Sequence, residues 1–568
     1  MSLTSALGVG QSALAAYQAA LQLVGQNISN SATPGYTRLT ADLSSVPGAT
    51  SRVGQLGNGV NITSIRRNAN DALEARLRTA LSDQQSAAAE RNGLARVENV
   101  FDPLGDNNLG TLVSDFFKSW GELQNNPQNI ATRGIVINNG RSIAERLQSV
   151  RGDLAGIRDE LNSQITTATE QADEIATQIA DLNIQITVAE SGASGPASAL
   201  RDQRNQLLSK LSESFGITTR EQPSGAVNVY IGNEALVQFG ESFGLQAVNE
   251  LDASGRLVAV IRLKEGGGVV KPTTGQVEGL ITARDSHIGG QQDRLDALAG
   301  ALIYEVNKIH SSGKGLQGFT SLTGATAVLD PSLELSNADN GVDFVPKTGS
   351  FFIDVKDNAS GTVTRHQINV DLDGIGSDTT LNSLIADINA NVPGVTASVL
   401  ADGRLKLTAS SSTSYSFADD TSGALASLGI NTFFTGTDSV DIAVNDVLVS
   451  SPTLLAAAKS DLPGDGSNAT DLVGLQSRVV ANLGGVSLSD YYTTSISDLA
   501  VRASSAQSAL DSGGIIFDSL TAQRESISGV NLDEEAVALI NFQRGFEGAA
   551  RYMNVIDQML QTLLSLVR

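Results

Sequence analysis

The residues that could carry out chemistry in this sequence do not form a pattern that we interpret as an enzyme. The 568-residue chain contains three histidines, His287, His310 and His366, and no cysteine. None of these histidines belongs to a His-Glu-x-x-His zinc motif, and we predict no nucleophile elbow. A chain without cysteine has no disulfide and no thiolate metal site. We therefore predict no catalytic residue, no cofactor and no bound metal.

Two acidic runs need a separate interpretation. Asp371-Leu372-Asp373-Gly374 is similar to the start of a calcium-binding loop, but the glutamate that should end such a loop is missing, which favours a surface turn. Asp533-Glu534-Glu535 could supply catalytic carboxylates. The run also follows Asn531, a residue type that caps helices, and acids stabilise the positive end of a helix. We expect Asn531 to cap this helix and Glu534 to reach back to its first turn.

Charge and composition exclude several classes of partner. The chain has 38 basic and 61 acidic residues, a net charge of −23, which argues against nucleic acid and anionic membranes as partners. No apolar run reaches the length of a membrane span. The first residues also lack the pattern of a secretory signal, so the glycosylation sequons at Asn61 and Asn468 carry little weight.

Both ends of the chain carry an apolar repeat that alternates steps of four and three residues. This spacing keeps one apolar face along a helix and is typical of helices that wrap around each other. At the start the repeat comprises Leu3, Leu7, Gly10, Leu14, Tyr17, Leu21, Val24 and Ile28. At the finish it comprises Leu539, Phe542, Phe546, Ala549, Met553, Ile556, Leu560, Leu563 and Val567. We predict that these helices form the assembly interface, because an isolated helix is marginally stable in water.

Between the terminal repeats, the sequence predicts a helical body with a β segment. Helical spacing runs over about 109–123, 141–190 and 287–310, and a further helix ends near Leu211. Apolar residues alternate with polar ones around Val229 and Ile261, which indicates strands within about 216–275. We interpret this region as a rod-like antiparallel bundle.

The composition shifts to Gly, Ser, Thr, Asp and Val between about 318 and 436. Strands are predicted at Phe351–Val355 and Gln367–Val370, a helix at Leu381–Asn391, and a hairpin around Asp402-Gly403. Helix is expected to resume after this segment. We predict an inserted α+β domain.

A turn-forming string follows the first apolar repeat, and a second string precedes the last one. The first runs from Asn27 to Arg38 and contains Asn30, Thr33, Pro34, Gly35 and Tyr36; the second is Ser528, Gly529, Val530, Asn531, Leu532, Asp533, Glu534 and Glu535. Both strings strongly resemble the terminal signatures of the flagellar axial proteins, which comprise rod, hook and hook-associated proteins. Inner stretches around Trp120 and Leu295 are similar to the members that join hook to filament. The segment around Leu384 resembles a module common in flagellins and hook-associated proteins.

The resemblance implies a structural protein of the bacterial flagellum. It implies a ring of identical subunits between hook and filament, with the hook protein and another hook-associated protein as neighbours. It also implies extracellular localisation, export without a cleaved signal peptide and escort by a cytoplasmic export chaperone. Two alternatives stay open at this point: another axial subunit of hook or filament, and a secreted glycan-binding or hydrolytic protein.

The predicted fold class is α+β and mainly α. Residues 1–60 and 530–568 would form a terminal coiled-coil assembly domain. Residues 61–317 and 437–529 would form the helical rod-like domain, and residues 318–436 the outer inserted domain. Solvent-facing decoration is the role that the resemblance implies for the insert.

Overall fold

The computed structural model describes residues 3–48, 50–51, 54–55, 57–102, 105, 108–192, 195–462 and 464–566. Helices take up 55% of the chain and strands 18%, so the predicted mainly-α α+β class is confirmed. Among the described helices, none combines the length and apolar character needed to cross a bilayer. Val567 of the last apolar repeat lies outside the described residues.

Thirteen α-helices occur in the described part of the chain. They are α1 Leu3–Ser29, α2 Asp71–Phe101, α3 Leu109–Asn125, α4 Ile130–Glu190, α5 Ser198–Ser214, α6 Gln276–Thr282, α7 Gly290–Ser311, α8 Leu381–Asn391, α9 Ala424–Ser427, α10 Asp446–Ser450, α11 Ser467–Leu475, α12 Leu488–Ser528 and α13 Leu532–Leu566. A π-helical stretch, Ala283–Gly289, lies between α6 and α7. The long helix expected from 437 begins only at Leu488, because turns and short helices fill the preceding residues.

The described strands are short and antiparallel. They are β1 Leu39–Ser45, β2 Thr50–Ser51, β3 Gly54–Gln55, β4 Val60–Arg67, β5 Ile217–Glu221, β6 Val227–Ile231, β7 Glu234–Gln238, β8 Glu241–Ser242, β9 Leu245–Leu251, β10 Leu257–Leu263, β11 Ser321–Ala327, β12 Gly349–Asp357, β13 Val363–Val370, β14 Val395–Val399, β15 Arg404–Ala409, β16 Thr413–Ala418, β17 Phe434–Thr435 and β18 Ala443–Val444. The β1–β4 pair directly follows the first signature and was not predicted from the sequence.

The chain forms two compact units, and the first contains both ends. It comprises Met1–Gly93, Asp159–Arg284 and Ser504–Arg568. Strands β5 to β8 form a four-stranded sheet in sequence order, and β9 pairs with β10. This confirms the predicted β segment. Asn183, fully buried on α4, donates to the carbonyl of Val227 at 2.8 Å and so ties the sheet to the helix.

The second unit comprises Leu94–Arg158 and Asp285–Ala503. Its helical part contains a cluster of aromatic rings, Phe116, Trp120, Phe433 and Phe434, whose centroids lie 4.7–6.2 Å apart in the contacting pairs. His310 packs its ring against Trp120 at 6.3 Å. The buried imidazole contacts the carbonyl of Asn431 and accepts from the amide of Ala456, so it has a structural role.

The inserted segment has an apolar core of its own within the second unit. Two three-stranded sheets, β13-β12-β16 and β11-β15-β14, enclose it together with α8. The core includes Phe351, Ile353, Leu384, Ile388, Leu405, Tyr415, Phe417 and Leu428. Thr380 caps α8, whose observed bounds are those predicted. Lys314 and Asp354, both nearly fully buried, form an ion pair of 2.7 Å that ties β12 to the chain just beyond α7.

Candidate assembly interface

The two terminal helices pack antiparallel against each other. Gly10 lies against Met553, and the ring of Tyr17 is 6.5 Å from that of Phe542, so contacts advance along α1 as they recede along α13. A Cβ atom at Gly545 would lie 2.7 Å from the Tyr17 ring, and one at Gly10 would overlap the Met553 side chain. The small residues therefore permit the close approach of the helices.

The residues of the two predicted apolar repeats differ in how far this pairing buries them. Val24 and Ile556 are buried. Partly buried positions are Leu3, Leu7, Leu14, Tyr17, Leu21, Ile28, Phe542, Phe546, Met553 and Leu560. Leu563 is exposed. The buried residues of α1 are Gly10, Ala16, Ala20, Leu23, Val24 and Asn27. Gly10 and Val24 belong to the predicted repeat, whereas the other four each lie one residue before a predicted position.

The two signature strings meet in a buried hydrogen-bond network, which we call the terminal clasp: Asn27, Tyr36, Arg38, Leu39 and Glu535. The amide of Asn27, 1% exposed, donates to the carbonyl of Leu39 at 2.9 Å and to Glu535 Oε2 at 3.1 Å. Its oxygen accepts from the Leu39 N–H at 3.0 Å and from the Tyr36 hydroxyl at 2.9 Å. All four hydrogen-bonding positions of the Asn27 amide are thus used.

Arg38 joins the first signature to the second by three polar contacts. Its Nε donates to Glu535 Oε1 at 2.7 Å, and its Nη1 donates to Glu534 Oε2, also at 2.7 Å. The Arg38 backbone N–H donates to the carbonyl of Ser528 at 2.9 Å. The Glu535 side chain is only 2% exposed, and a buried carboxylate needs such partners. The clasp thus connects the end of α1 to the start of α13.

The structure corrects one predicted contact in the second signature. Asn531 caps α13 as predicted, accepting from the Asp533 N–H at 2.9 Å. The Glu534 carboxylate, however, points to Arg38 instead of reaching back to the first turn of its own helix. The contact with an arginine almost five hundred residues earlier in the sequence accounts for the difference, since no local pattern encodes it.

Similarities to known proteins extend over nearly the whole chain. A family model described as the helical domain of the flagellar hook-associated protein FlgK matches residues 94–325. Flagellar hook-associated protein 1 of Escherichia coli (strain K12) is 26% identical, covering 99% of this chain and 100% of the relative. The protein of the same name from Bacillus subtilis (strain 168) is 23% identical, and the alignment covers 98% of this chain and 97% of the relative.

The chain is therefore similar over nearly its whole length to proteins named flagellar hook-associated protein 1. Two shorter matches agree with this similarity: the C-terminal model of the flagellar basal body rod proteins FlgEFG over 522–566, and the flagellin hook IN motif over 354–411. The flagellar hook junction protein FlgK from Burkholderia pseudomallei shares the fold. Its structure aligns with a TM-score of 0.51 at 17% identity, covering 80% of this chain and 100% of that one.

Further contacts connect the loop of the first signature to α5. Asp202 of α5 accepts from the Thr37 hydroxyl at 2.9 Å and forms an ion pair with Arg67 at the end of β4. Pro34 accepts from the side chain of Gln206, also on α5, at 2.8 Å. Sequence reasoning missed Asp202, because a lone aspartate in a helix carries no signal for a partner in a distant loop.

The remaining signature residues shape the loop and the helix start. Thr33 donates to the side chain of Asn30 at 3.3 Å. Gly35 has φ of +78°, a conformation that disfavours other residues. Burial, assisted by the negative charges of Asp202 and Glu535, raises the pKa of Tyr36 to about 12, so its hydroxyl stays a hydrogen-bond donor to Asn27. Gly529 and Val530 are partly buried, whereas Leu532 is exposed.

One face of α13 remains uncovered by α1. Its apolar residues are Val537, Tyr552, Val555, Met559 and Leu563, all exposed. We call this set the open face of α13. A helix whose apolar residues encircle it is buried on both sides in its working state. The open face is therefore available for contacts beyond the single chain.

The other candidate chemical groups lie in structural settings. Asp371, Asp373 and Asp378 approach one another on an exposed turn, where Asp373 and Asp378 accept from the N–H groups of Ile375 and Gly374. Gly240-Glu241-Ser242-Phe243-Gly244 has the spacing of a nucleophile elbow, which the sequence reading overlooked. Ser242 is the last residue of β8, and the next element along the chain is the strand β9. A nucleophile elbow instead needs a turn from a strand into a helix.

Proposed function

We propose that this chain is a structural subunit of the bacterial flagellum that forms the junction between hook and filament. The terminal clasp is the observation that carries the proposal: it closes the two axial-protein signatures on each other through Asn27, Arg38 and Glu535. Relatives of nearly full-length coverage, named flagellar hook-associated protein 1, support it. The protein thus acts by assembly, and we propose no catalytic role.

Subunits would polymerise into a ring through the paired terminal helices. We assign this contact to two surfaces: the half-buried residues of the apolar repeat on α1, and the open face of α13. Burying a large apolar side chain is worth about 1.5–3 kcal/mol, so five residues on the open face supply a substantial driving force. The hook protein would contact one side of the ring and another hook-associated protein the filament side.

The remaining domains would lie outside this terminal layer. We assign residues 1–60 and 530–568 to the assembly domain, 61–317 and 437–529 to the helical rod, and 318–436 to a solvent-facing insert. The complete apolar core of the insert supports the last assignment, since such a segment needs no neighbour to cover it.

A cytoplasmic export chaperone would bind α13 before assembly. An exposed apolar stripe invites aggregation, and the open face is such a stripe. A groove that accepts the helix would cover the surface used in the ring and prevent early polymerisation. Export would then proceed through the flagellar apparatus without removal of a signal peptide.

Immunogold electron microscopy of isolated flagella tests the proposed function. An epitope tag inserted after Gly361, an exposed turn between β12 and β13, should place label at one position between hook and filament. Deleting the gene should leave hooks without filaments, and the tagged gene should restore them. Label along the whole filament or hook would instead identify another axial subunit, and unlabelled flagella would contradict the proposal.

A further inference from the structure

Phe239 adopts a backbone conformation that aromatic residues avoid. It occupies the two-residue turn between β7 and β8 with φ of +55°. A two-residue hairpin turn with positive φ at its first position usually places glycine there. Of the four described non-glycine residues with positive φ, the other three are aspartate or asparagine, which tolerate it.

The surrounding structure fixes Phe239 in this conformation from both sides. Its N–H donates to the side-chain oxygen of Asn228 at 2.9 Å, and its carbonyl accepts from the Asn183 amide at 2.6 Å. Both asparagines are buried. The strain is thus maintained by a dedicated framework, and strained residues held in this way cluster at functional sites.

The glycine of the turn is committed to a different task. A Cβ atom at Gly240 would overlap the side chain of Ile184 on α4, so the close contact between turn and helix requires glycine at the second position. The first position could also have taken glycine without conformational cost. The phenylalanine there contributes little to the interior, since 58% of it is exposed.

Phe239 belongs to a protruding apolar patch. Ile184 lies beside the turn, and Val188 follows one helical turn later on the same face of α4; the two are 51% and 68% exposed. Glu241 is exposed directly after the turn. We call Phe239, Ile184 and Val188 the aromatic knob. Exposed apolar clusters of this kind mark contact sites.

The same unit contains a cavity with complementary chemistry. It has a volume of about 360 Å³ and lies between α2 and α12, lined by Ala75, Arg76, Thr79, Ala80, Asp83, Gly513, Ile516 and Leu520. The small and aliphatic side chains among these leave room for an aromatic ring. Arg76 and Asp83, both exposed at this cavity, carry opposite charges seven residues apart on α2, and Glu241 beside the knob can pair with Arg76.

We propose that the aromatic knob of one subunit inserts into the α2–α12 cavity of a second copy of this chain. The inference rests on the proposed function, because a ring is assembled when one surface of each subunit meets a different surface of the next. The contact is lateral and separate from the terminal helices. The contact explains why a strained, exposed phenylalanine occupies this turn. The free energy that the strain costs is offset only when the ring is buried in the assembly.

Cysteine cross-linking in isolated flagella tests the contact directly, because the natural chain has no cysteine. The double variant Phe239→Cys/Thr79→Cys, oxidised and separated under non-reducing conditions, should give a ladder of dimers and higher multiples. Each single variant should stay monomeric. The matched control Leu251→Cys/Thr79→Cys, in which Leu251 is 70% exposed on β9 of the same unit, should give no ladder.

Three outcomes would overturn the contact. One is no ladder from protein that immunogold labelling places at the junction, which would leave the proposed function intact. Another is dimers from Phe239→Cys alone, which would mean that two knobs meet each other. The third is a product that contains a different protein. Absence of the wild-type protein from the flagellum would instead contradict the proposed function.

The variant Phe239→Gly separates docking from folding. Because glycine adopts positive φ without strain, its thermal unfolding midpoint should equal or exceed that of the wild type. The number of junctions that carry the protein should fall about tenfold, the change expected from losing one buried phenylalanine contact. A lowered midpoint would show that Phe239 serves the fold, and unchanged junction occupancy with an unchanged midpoint would also overturn the proposal.

Discussion

The inserted segment and the terminal helix pair cover their apolar side chains to different degrees. In the insert, Phe351, Ile353 and Phe417 lie in a core closed within the chain. On α13, Ile556 is buried against α1 while Met559, three residues further, is 55% exposed. The apolar core of the insert is closed, whereas the terminal pair leaves apolar residues of α13 exposed. This difference is what we expect if the terminal helices assemble the subunits and the insert does not.

Polar groups show the same difference. Asp354 and Lys314 form a buried pair within one unit, and Arg365 adds a contact of 2.8 Å to the same carboxylate. The terminal clasp also satisfies its buried groups, but it joins residues that are 508 positions apart. Closing such a long loop requires both ends of the chain. The clasp therefore cannot form before Glu535 has been synthesised, and it fixes the start of α13 against the end of α1.

The largest expected effect is on assembly and comes from a charge on the open face. Met559→Asp should abolish ring formation, since burying an unpaired carboxylate costs several kcal/mol. The free energy of unfolding of the isolated subunit should stay within about 0.5 kcal/mol of the wild-type value, as expected for an exposed position. Motility and electron microscopy measure the first effect, and thermal unfolding the second.

The exposed Ile375 of the insert provides the matched control for that variant. Ile375→Asp places the same charge on an apolar residue that is 78% exposed, and it should leave assembly unchanged. If Ile375→Asp stopped assembly as completely as Met559→Asp, the insert would take part in the junction and the contrast between the two regions would be lost.

Next in size is a cavity in the closed core. Phe417→Ala should destabilise the insert by about 3–5 kcal/mol, because the side chain is fully buried among aliphatic and aromatic neighbours. Denaturant unfolding with proteolysis of the insert measures this. Phe352→Ala, at a partly buried position one residue beyond Phe351, should cost far less. Equal losses for the two variants would contradict a core closed on one side of β12.

A loss of similar size is expected from the terminal clasp. Asn27→Ala removes the partners of both backbone groups of Leu39 and one partner of Glu535, and each buried group left unsatisfied costs about 1–3 kcal/mol. A double-mutant cycle with Glu535→Gln should give a coupling of about 0.5–3 kcal/mol. Additive losses would mean that the two signatures do not act as one network.

The local elements were predictable from sequence, whereas the contacts between distant residues were not. The bounds of α8 were predicted because Thr380, the apolar spacing and Pro393 mark them locally. The signatures were recognised as strings, but no spacing rule pairs Asn27 with Glu535 or Thr37 with Asp202. The β1–β4 pair escaped prediction because polar residues interrupt its alternation. The strain at Phe239 follows from its positive φ. The residue type gave no sign of it, because phenylalanine normally avoids positive φ.

The smallest expected effects distinguish the covered face of α13 from the open one. Gly545→Ala places a methyl group 2.7 Å from the Tyr17 ring, so the helices must separate, and the subunit should lose about 1–3 kcal/mol. Gly548 lies three positions further along α13, and a methyl group there would have no heavy atom within 4 Å. Gly548→Ala should therefore stabilise α13 by up to about 1 kcal/mol, the propensity difference between the two residues. Thermal unfolding of the isolated subunits measures both changes. Opposite signs support a helix with one covered and one open face, and a loss of stability from Gly548→Ala would mean that the single chain already covers both.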